Sequence, residues 1–237
     1  MTHTKPSRRP AISIIIPTLN EAESIATTMK SAQAATGIEI IVADGKSSDG
    51  TGEMAKELGA RVLTITGGRA RQVNAGAMAA SSDVLLFLHG DTRLPDGYDQ
   101  HVLNLVAMPG TAAGAFELGI DGPEIGLRII EKLANFRSRF FQMPYGDQAI
   151  FLKASLFRSI GGLPDIPIME DFVFMRRVKK KGRVVIAPVA VTTSSRRWRE
   201  LGILKTTLIN QLVLLAYFLG SDHKRLARWY RKATLRN

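Results

Sequence analysis

Four times within residues 11–108 the chain repeats one move. A short, β-branched, continuously apolar run stops at a polar or glycine-rich junction, and a helical pattern follows. "AISIII" precedes "EAESIATTMKSAQAA", and "IEIIVA" precedes "TGEMAKELG". "RVLTIT" precedes "RARQVNAGAMAAS", and "DVLLFLH" precedes a turn and "GYDQHVLNLVAM". Runs that are apolar on both faces belong to strands covered on both sides. Their alternation with helices over short connections predicts an α/β fold, a mostly parallel central sheet flanked by helices. In such sheets ligands bind beyond the carboxyl ends of the strands. The chemistry is therefore expected in "PTLNEAES", "DGKSSDGT", "GGRARQVNAG" and "HGDT".

Beyond Pro109 the alternation loosens. "AAGAFEL" reads as a strand, and Glu124 to Phe141 as a long amphipathic helix. "MPYGDQAIFLK" reads as a loop entering a strand. "EDFVFMRRVKKKG" reads as a helix closed by Gly182. "RVVIAPVAVTTS" reads as two strand pieces joined at Pro188, and helices are expected from residue 199 onward. No internal repeat or low-complexity segment interrupts this order. The organisation expected is a basic flexible tail over 1–10, one domain over 11–198 that divides into halves 11–108 and 109–198, and C-terminal apolar and basic helices over 199–237.

A chain of 237 residues can build one substantial core. Without cysteine, disulfides and thiolate metal sites are excluded. The basic start followed by Ala11–Ile16 is too short in its apolar part, and lacks the small-residue cleavage pattern, for a signal peptide. A cytoplasmic chain is the resulting expectation, with peripheral contact at the inner membrane face as the alternative. Net charge is +11, and residues 196–237 carry ten Lys/Arg against two Asp/Glu. Such a segment fits an anionic membrane surface or a phosphorylated ligand, or else a merely solvated helix face. Nucleic acid is not expected, because no helix-turn-helix, zinc or base-stacking pattern accompanies the charge. The uncharged run Thr206–Leu219 is 14 residues long, against the roughly 20 that span a bilayer. It reads as a packing helix, an interfacial helix or a homodimer contact.

Among the junctions, "HGDT" spaces His89 and Asp91 two apart, which in extended backbone places both on one side. Asp44 ends another run and Asn20–Glu21 follows the first. Carboxylates gathered along one sheet edge call for a cation. Without cysteine the fitting ions are Mg²⁺ or Mn²⁺, His89 favouring Mn²⁺, with a diphosphate supplying the remaining oxygens. Gly67 and Gly68 allow close backbone approach at a helix start, and Arg69 and Arg71 add positive charge. His3, His101 and His223 have no partner spacing, the methionines read as core filler, and Lys179–Lys181 reads as a solvated helix end. Trp229 and Tyr230 sit among arginines and fit either a headgroup zone or packing on the domain.

Taken in order, "SIIIPTLNEA", "VADGKSSDGT", "GRARQVNAGA", "LHGDT", "GDQ", "ED" and "RRW" resemble the family 2 glycosyltransferases of the GT-A fold. The likeness is greatest to a small bacterial branch described as radical-SAM/selenodomain-associated transferases, and it covers Ser13 to Trp198. The resemblance implies a GT-A nucleotide-diphospho-sugar transferase, with 11–198 as its catalytic domain, 11–108 as the nucleotide-binding half and 109–198 as the acceptor half. Pro17, Glu21 and Asp44 would line the pocket for base and ribose of a UDP- or GDP-type sugar donor. Arg69 and Arg71 would contact the nucleotide, and Asp91 would bind the cation on the diphosphate. Gly146, Asp147 and Gln148 would lie in the acceptor region. Of Glu170 and Asp171, otherwise readable as acids favouring a helix N-terminus, Asp171 would be the general base. Arg197 and Trp198 would sit near the diphosphate and acceptor. Two departures stand out. His89 replaces the usual first Asp of the metal motif, and Ser194 stands where a Gln of processive synthases is expected, which favours single-sugar transfer. The acceptor is left open, as a small molecule or a polyprenyl phosphate. A nucleotidyltransferase is disfavoured because "PTLNEAES" lacks its glycine-rich basic loop. A non-catalytic basic binding protein on a degenerate transferase scaffold is the remaining alternative.

Overall fold

A computed structural model describes residues 10–234; the expectations for the N-terminal tail and His3 lie outside that range. The first four runs form β1 (Ile12–Thr18), β2 (Ile38–Asp44), β3 (Arg61–Thr64) and β4 (Val84–Phe87). Helices α1 (Ala22–Ala32), α2 (Thr51–Glu57) and α3 (Arg69–Ala79) connect them. The pairings β1–β2, β1–β4 and β2–β3 are all parallel, as alternation demands. β1 is buried along almost its whole length, which explains why it is apolar without a period.

The remaining elements extend this sheet in both senses. They are β5 (Thr92–Arg93), α4 (Tyr98–Ala107), β6 (Thr111–Asp121), α5 (Ile125–Phe141), β7 (Phe151–Lys153) and α6 (Ala154–Ser159). After them come α7 (Glu170–Lys179), β8 (Arg183–Ser194), α8 (Arg196–Leu201), α9 (Ile203–Phe218) and α10 (His223–Thr234). The strand order is β3-β2-β1-β4-β7-β6-β8-β5. Antiparallel β7 stands between β4 and β6, and β6–β8 is parallel again. The sheet is therefore mixed, parallel in its first half and of both senses in its second. One cluster packs on one side through Ile14, Ile16, Leu86, Tyr98 and Phe116; a second packs on the other through Ile15, Leu85, Phe87, Phe174 and Val178.

Pro188 does not divide its segment as expected. β8 is one continuous strand, and its pairing with β6 slips between Ala115 and Glu117, opposite Ile186 and Ala190. The irregularity absorbs a residue that cannot donate to a ladder.

Candidate active site

At the carboxyl ends of β1 and β4 lies a cavity of about 730 Å³. Pro17, Glu21, Arg69, His89, Asp91, Asp147, Asp171, Arg197 and Trp198 line it, with Tyr145, Arg196, Asn210 and Tyr230. Eight separate elements or junctions thus deliver chemistry to one space beyond the strand ends.

The centre of the site is a charged cluster around Arg69. Glycine at 68, with φ 98° and ψ 172°, starts α3 without a side-chain cap, so the first amide groups of that helix stay open toward the cavity. Arg69 Nε donates to Glu170 Oε1 at 2.5 Å, its Nη2 lies 3.9 Å from Asp171 Oδ2, and Nη1 lies 3.2 Å from His89 Nε2. A guanidinium has no acceptor, so His89 Nε2 accepts this bond. Burial, and after it Arg69, lowers the His89 pKa to about 4 despite Asp91 and Asp171.

Asp171 is fixed by two amides. Gly146 N–H donates to Oδ2 at 2.9 Å and Phe172 N–H to Oδ1 at 2.7 Å. Met169, left-handed at φ 65°, turns the chain into α7 so that Asp171 reaches the cavity. Burial raises the Asp171 pKa, but Arg69, the two amides and His89 outweigh it and hold the carboxyl below its ordinary value. Gly146 has to be glycine. A Cβ there would lie 2.9 Å from His89 Nε2 and 3.3 Å from Asp171 Oδ2. Burial pushes Asp147 the other way, up, with Arg137 opposing.

On the far wall Glu21 receives two bonds from Arg196 Nη2, at 2.9 and 3.1 Å. Burial raises the Glu21 pKa, Arg196 opposes, and Asp91 adds to the rise. Arg196 stands within "RRW" but was passed over for Arg197 and Trp198; only the fold shows that it spans to Glu21. Gln72 was also missed, and no pattern marks it. Its buried amide bridges Thr18 O at 2.7 Å and Ala43 O at 2.8 Å, tying the ends of β1 and β2 together.

Several residues singled out in the sequence lie elsewhere. Asp44 is held between the end of β1 and its own loop, accepting from Thr18 Oγ1 at 3.1 Å and from Ser47 N–H at 2.9 Å, and it does not line the cavity. The expected convergence of Asp44 and Asp91 is not seen, because β1 separates the strands that carry them. Arg69 and Arg71 are two apart on a helix and face different directions; Arg71 forms an exposed pair with Asp165 at 2.8 Å. Glu170 is buried behind the cavity on Arg69. Gln148 is a structural knot, donating to Phe116 O at 2.9 Å and accepting from Ser138 Oγ at 2.6 Å. Gly146 borders a smaller space of about 30 Å³ beside the main one. His89 and Asp91 do share the cavity. They reach it through a turn closed by Thr92 N–H on His89 O at 3.2 Å rather than through an extended strand.

The family model for glycosyl transferase family 2 matches residues 13–157. The chain belongs to that family. A curated relative, 4,4'-diaponeurosporenoate glycosyltransferase of Staphylococcus haemolyticus, is 33% identical over 105 residues. That match covers 40% of this chain and 27% of the relative, so the chain spans about a quarter of its length. Among solved structures, S. aureus TarS 1-349 in complex with UDP superposes with TM-score 0.64 at 16% identity, covering 82% of this chain and 63% of that one. The Pyrobaculum calidifontis mannosyltransferase PcManGT, solved with GDP-Man and Mn²⁺, gives 0.63 at 17%, covering 97% and 77%. These likenesses show the GT-A fold.

The donor set fits a divalent cation of the kind that binds phosphates. Among the described residues no three His, Asp or Glu side chains form a cluster. Mg²⁺ and Mn²⁺ sites commonly use one or two carboxylates and take the rest of their oxygens from phosphate and water. Asp91 is the carboxylate available for that role. His89 Nε2 accepts from Arg69, so the neutral imidazole carries its proton on Nδ1, and His89 could ligate a cation only by giving up the Arg69 bond.

Proposed function

We propose that this chain transfers one sugar from a UDP- or GDP-type donor to an acceptor hydroxyl, in a single displacement that inverts the anomeric carbon. The reading keeps the His-x-Asp-Thr branch indicated by "HGDT". The observation that carries it is Asp171, fixed by two amides and ionised at neutral pH, in the same cavity as Arg69, Asp91 and an uncapped helix start. A divalent cation held by Asp91, which His89 could join only by releasing Arg69, would neutralise charge growing on the departing diphosphate. Arg69 and the α3 amides supply further positive potential for that group. The acceptor O–H gives its proton to Asp171 while its oxygen bonds the anomeric carbon and the bond to the diphosphate breaks. Pro17 and Glu21 stand on the wall suited to the nucleoside, and Asp147, Arg197 and Trp198 on the wall suited to the acceptor.

The test is release of nucleoside diphosphate from a panel of UDP- and GDP-sugars with Mn²⁺, Mg²⁺ or chelator, water serving as the slow acceptor. One donor is expected to turn over with cation and not with chelator. Asp171→Asn is expected to lower kcat by roughly 10²–10⁴-fold while donor binding, followed by calorimetry, is kept. Unchanged turnover in Asp171→Asn refutes the base; absence of binding by every donor refutes the reading as a whole.

A further inference from the structure

Two helices carry apolar residues on the wrong side. In α5 the core receives Leu127, Ala134 and Ser138, yet Ile125, Ile129, Leu133, Phe136 and Phe140 are all exposed, Ile125 at 79%. At about 100° per residue these five fall within roughly an 80° arc opposite the buried face. α9 repeats the spacing. Leu204, Leu208, Leu212, Leu215 and, just past its end, Leu219 are exposed, Leu204 at 85%, while Thr206, Ile209 and Val213 turn inward. The two helices meet at their first turns, where a Cβ on Gly126 would lie 3.0 Å from Ile203. Both helices end against α7, through Lys179 Nζ on Phe141 O at 2.7 Å and through Phe172 against Tyr217 and Phe218. An apolar expanse of this kind on a folded chain marks an interaction surface.

The charge beside it selects the partner. Arg128, Lys132 and Arg139 flank the α5 stripe, and Lys205 stands beside Leu204. α10 packs on α9 and exposes Lys224, Arg225, Arg228, Arg231 and Lys232 with the half-exposed Trp229, and neither α9 nor α10 contains an acidic residue. A two-fold contact between copies would set this face against itself and bring like charges together. An anionic surface satisfies both the apolar stripes and the cationic rim, with Trp229 at interfacial depth. No helix among the described residues is long and apolar enough to cross a membrane, so the face would lie on a bilayer rather than span it.

We propose that the outer faces of α5 and α9, with the basic face of α10, dock this chain on an anionic lipid bilayer. Docking does not depend on the transferase reading. It bears on that reading because the inner face of α9, at Asn210, Val213 and Leu214, walls the cavity; an acceptor drawn from the bilayer would enter there.

The test is flotation of the full chain with phosphatidylglycerol-rich vesicles and with pure phosphatidylcholine vesicles, beside sizing by light scattering. Wild type is expected to float with the anionic vesicles and several-fold less with the neutral ones. The quadruple variant Phe136→Gln, Phe140→Gln, Leu208→Gln, Leu212→Gln alters only exposed side chains and is expected to lose at least roughly tenfold in partitioning with an unchanged far-UV spectrum. A second variant, Arg228→Gln with Arg231→Gln, is expected to lose anionic preference and guards against misfolding of the first. No flotation of wild type overturns the proposal. So does equal flotation of the folded quadruple variant, or a wild-type dimer that the quadruple variant converts to monomer without vesicle binding.

Discussion

The His89 imidazole is held between charges of both signs. Burial and Arg69 bring its pKa down to about 4, while Asp91 and Asp171 pull upward. In the unfolded chain a histidine titrates near 6.5. Between about pH 6.5 and 4 the unfolded state therefore binds a proton that the folded state refuses. Stability from this group is complete above pH 6.5 and declines as pH falls toward 4, by no more than about 3 kcal/mol. Asp171 acts lower on the scale. Its depressed pKa stabilises the fold above the ordinary carboxyl range and that part is lost as pH falls below it. Urea unfolding between pH 7.5 and 4 with chelator present should show the decline in wild type and a shallower one in His89→Gln. Parallel declines would mean that His89 is not held neutral. The sequence places His89 and Asp91 two apart, and both do line the cavity. It could not show Arg69 arriving at His89 Nε2, because that contact joins residues twenty positions apart through the packing of α3 on β1. Asp44 shows the same blindness in reverse: its carboxylate was readable as a ligand, and a Ser and a Thr had already claimed it.

At the scale of elements, legibility followed the apolar pattern. β1 to β4 and the helices between them were readable because strands covered on both faces must be apolar throughout, and α5 was readable from an apolar stripe that is exposed, its other face packing on β6 through Leu127 and Ala134. The second half was harder. β5 has only two residues, too few for any period, and β7, readable as the strand that follows "MPYGDQ", reaches its antiparallel place through long-range pairing that no local pattern encodes. Its seat depends on Gly114. Gly114 and Phe151 are direct partners across β6 and β7, and a Cβ at 114 would lie 2.2 Å from two ring carbons of Phe151. The ring is fully buried and lies edge-on to Phe116 at 5.5 Å, so it has nowhere to move. Gly114→Ala should destabilise the fold by about 1–3 kcal/mol, outweighing the roughly 0.5–1 kcal/mol that alanine gains over glycine in a strand. In Gly114→Ala with Phe151→Leu the losses should add to less than their sum, since the smaller side chain relieves the clash. Additive losses in chemical denaturation would show that the two residues do not press on each other.

For the molecule as a whole, the cavity is a join between regions distant in sequence. Its walls run from Pro17 near the end of β1 to Thr234 at the end of α10. Glu21 at the start of α1 and Arg196 at the start of α8 are bonded across it. A nucleoside diphosphate bound there would touch the first strand ends, the Arg69 cluster and the C-terminal helices together, so its binding energy should stabilise all of them. At a ligand concentration of 100 Kd the gain is about 2.7 kcal/mol, and for a chain of this size each kcal/mol raises Tm by roughly 2–4 °C. A rise of about 5–11 °C in a single transition is therefore expected with the preferred nucleotide and cation. Hydrogen exchange should slow together in β1, α3 and α9. Protection confined to residues 11–108, with α9 exchanging as in the free chain, would mean that the C-terminal helices stand beside the ligand without holding it, and the wall formed by Asn210 and Tyr230 would then have no part in binding.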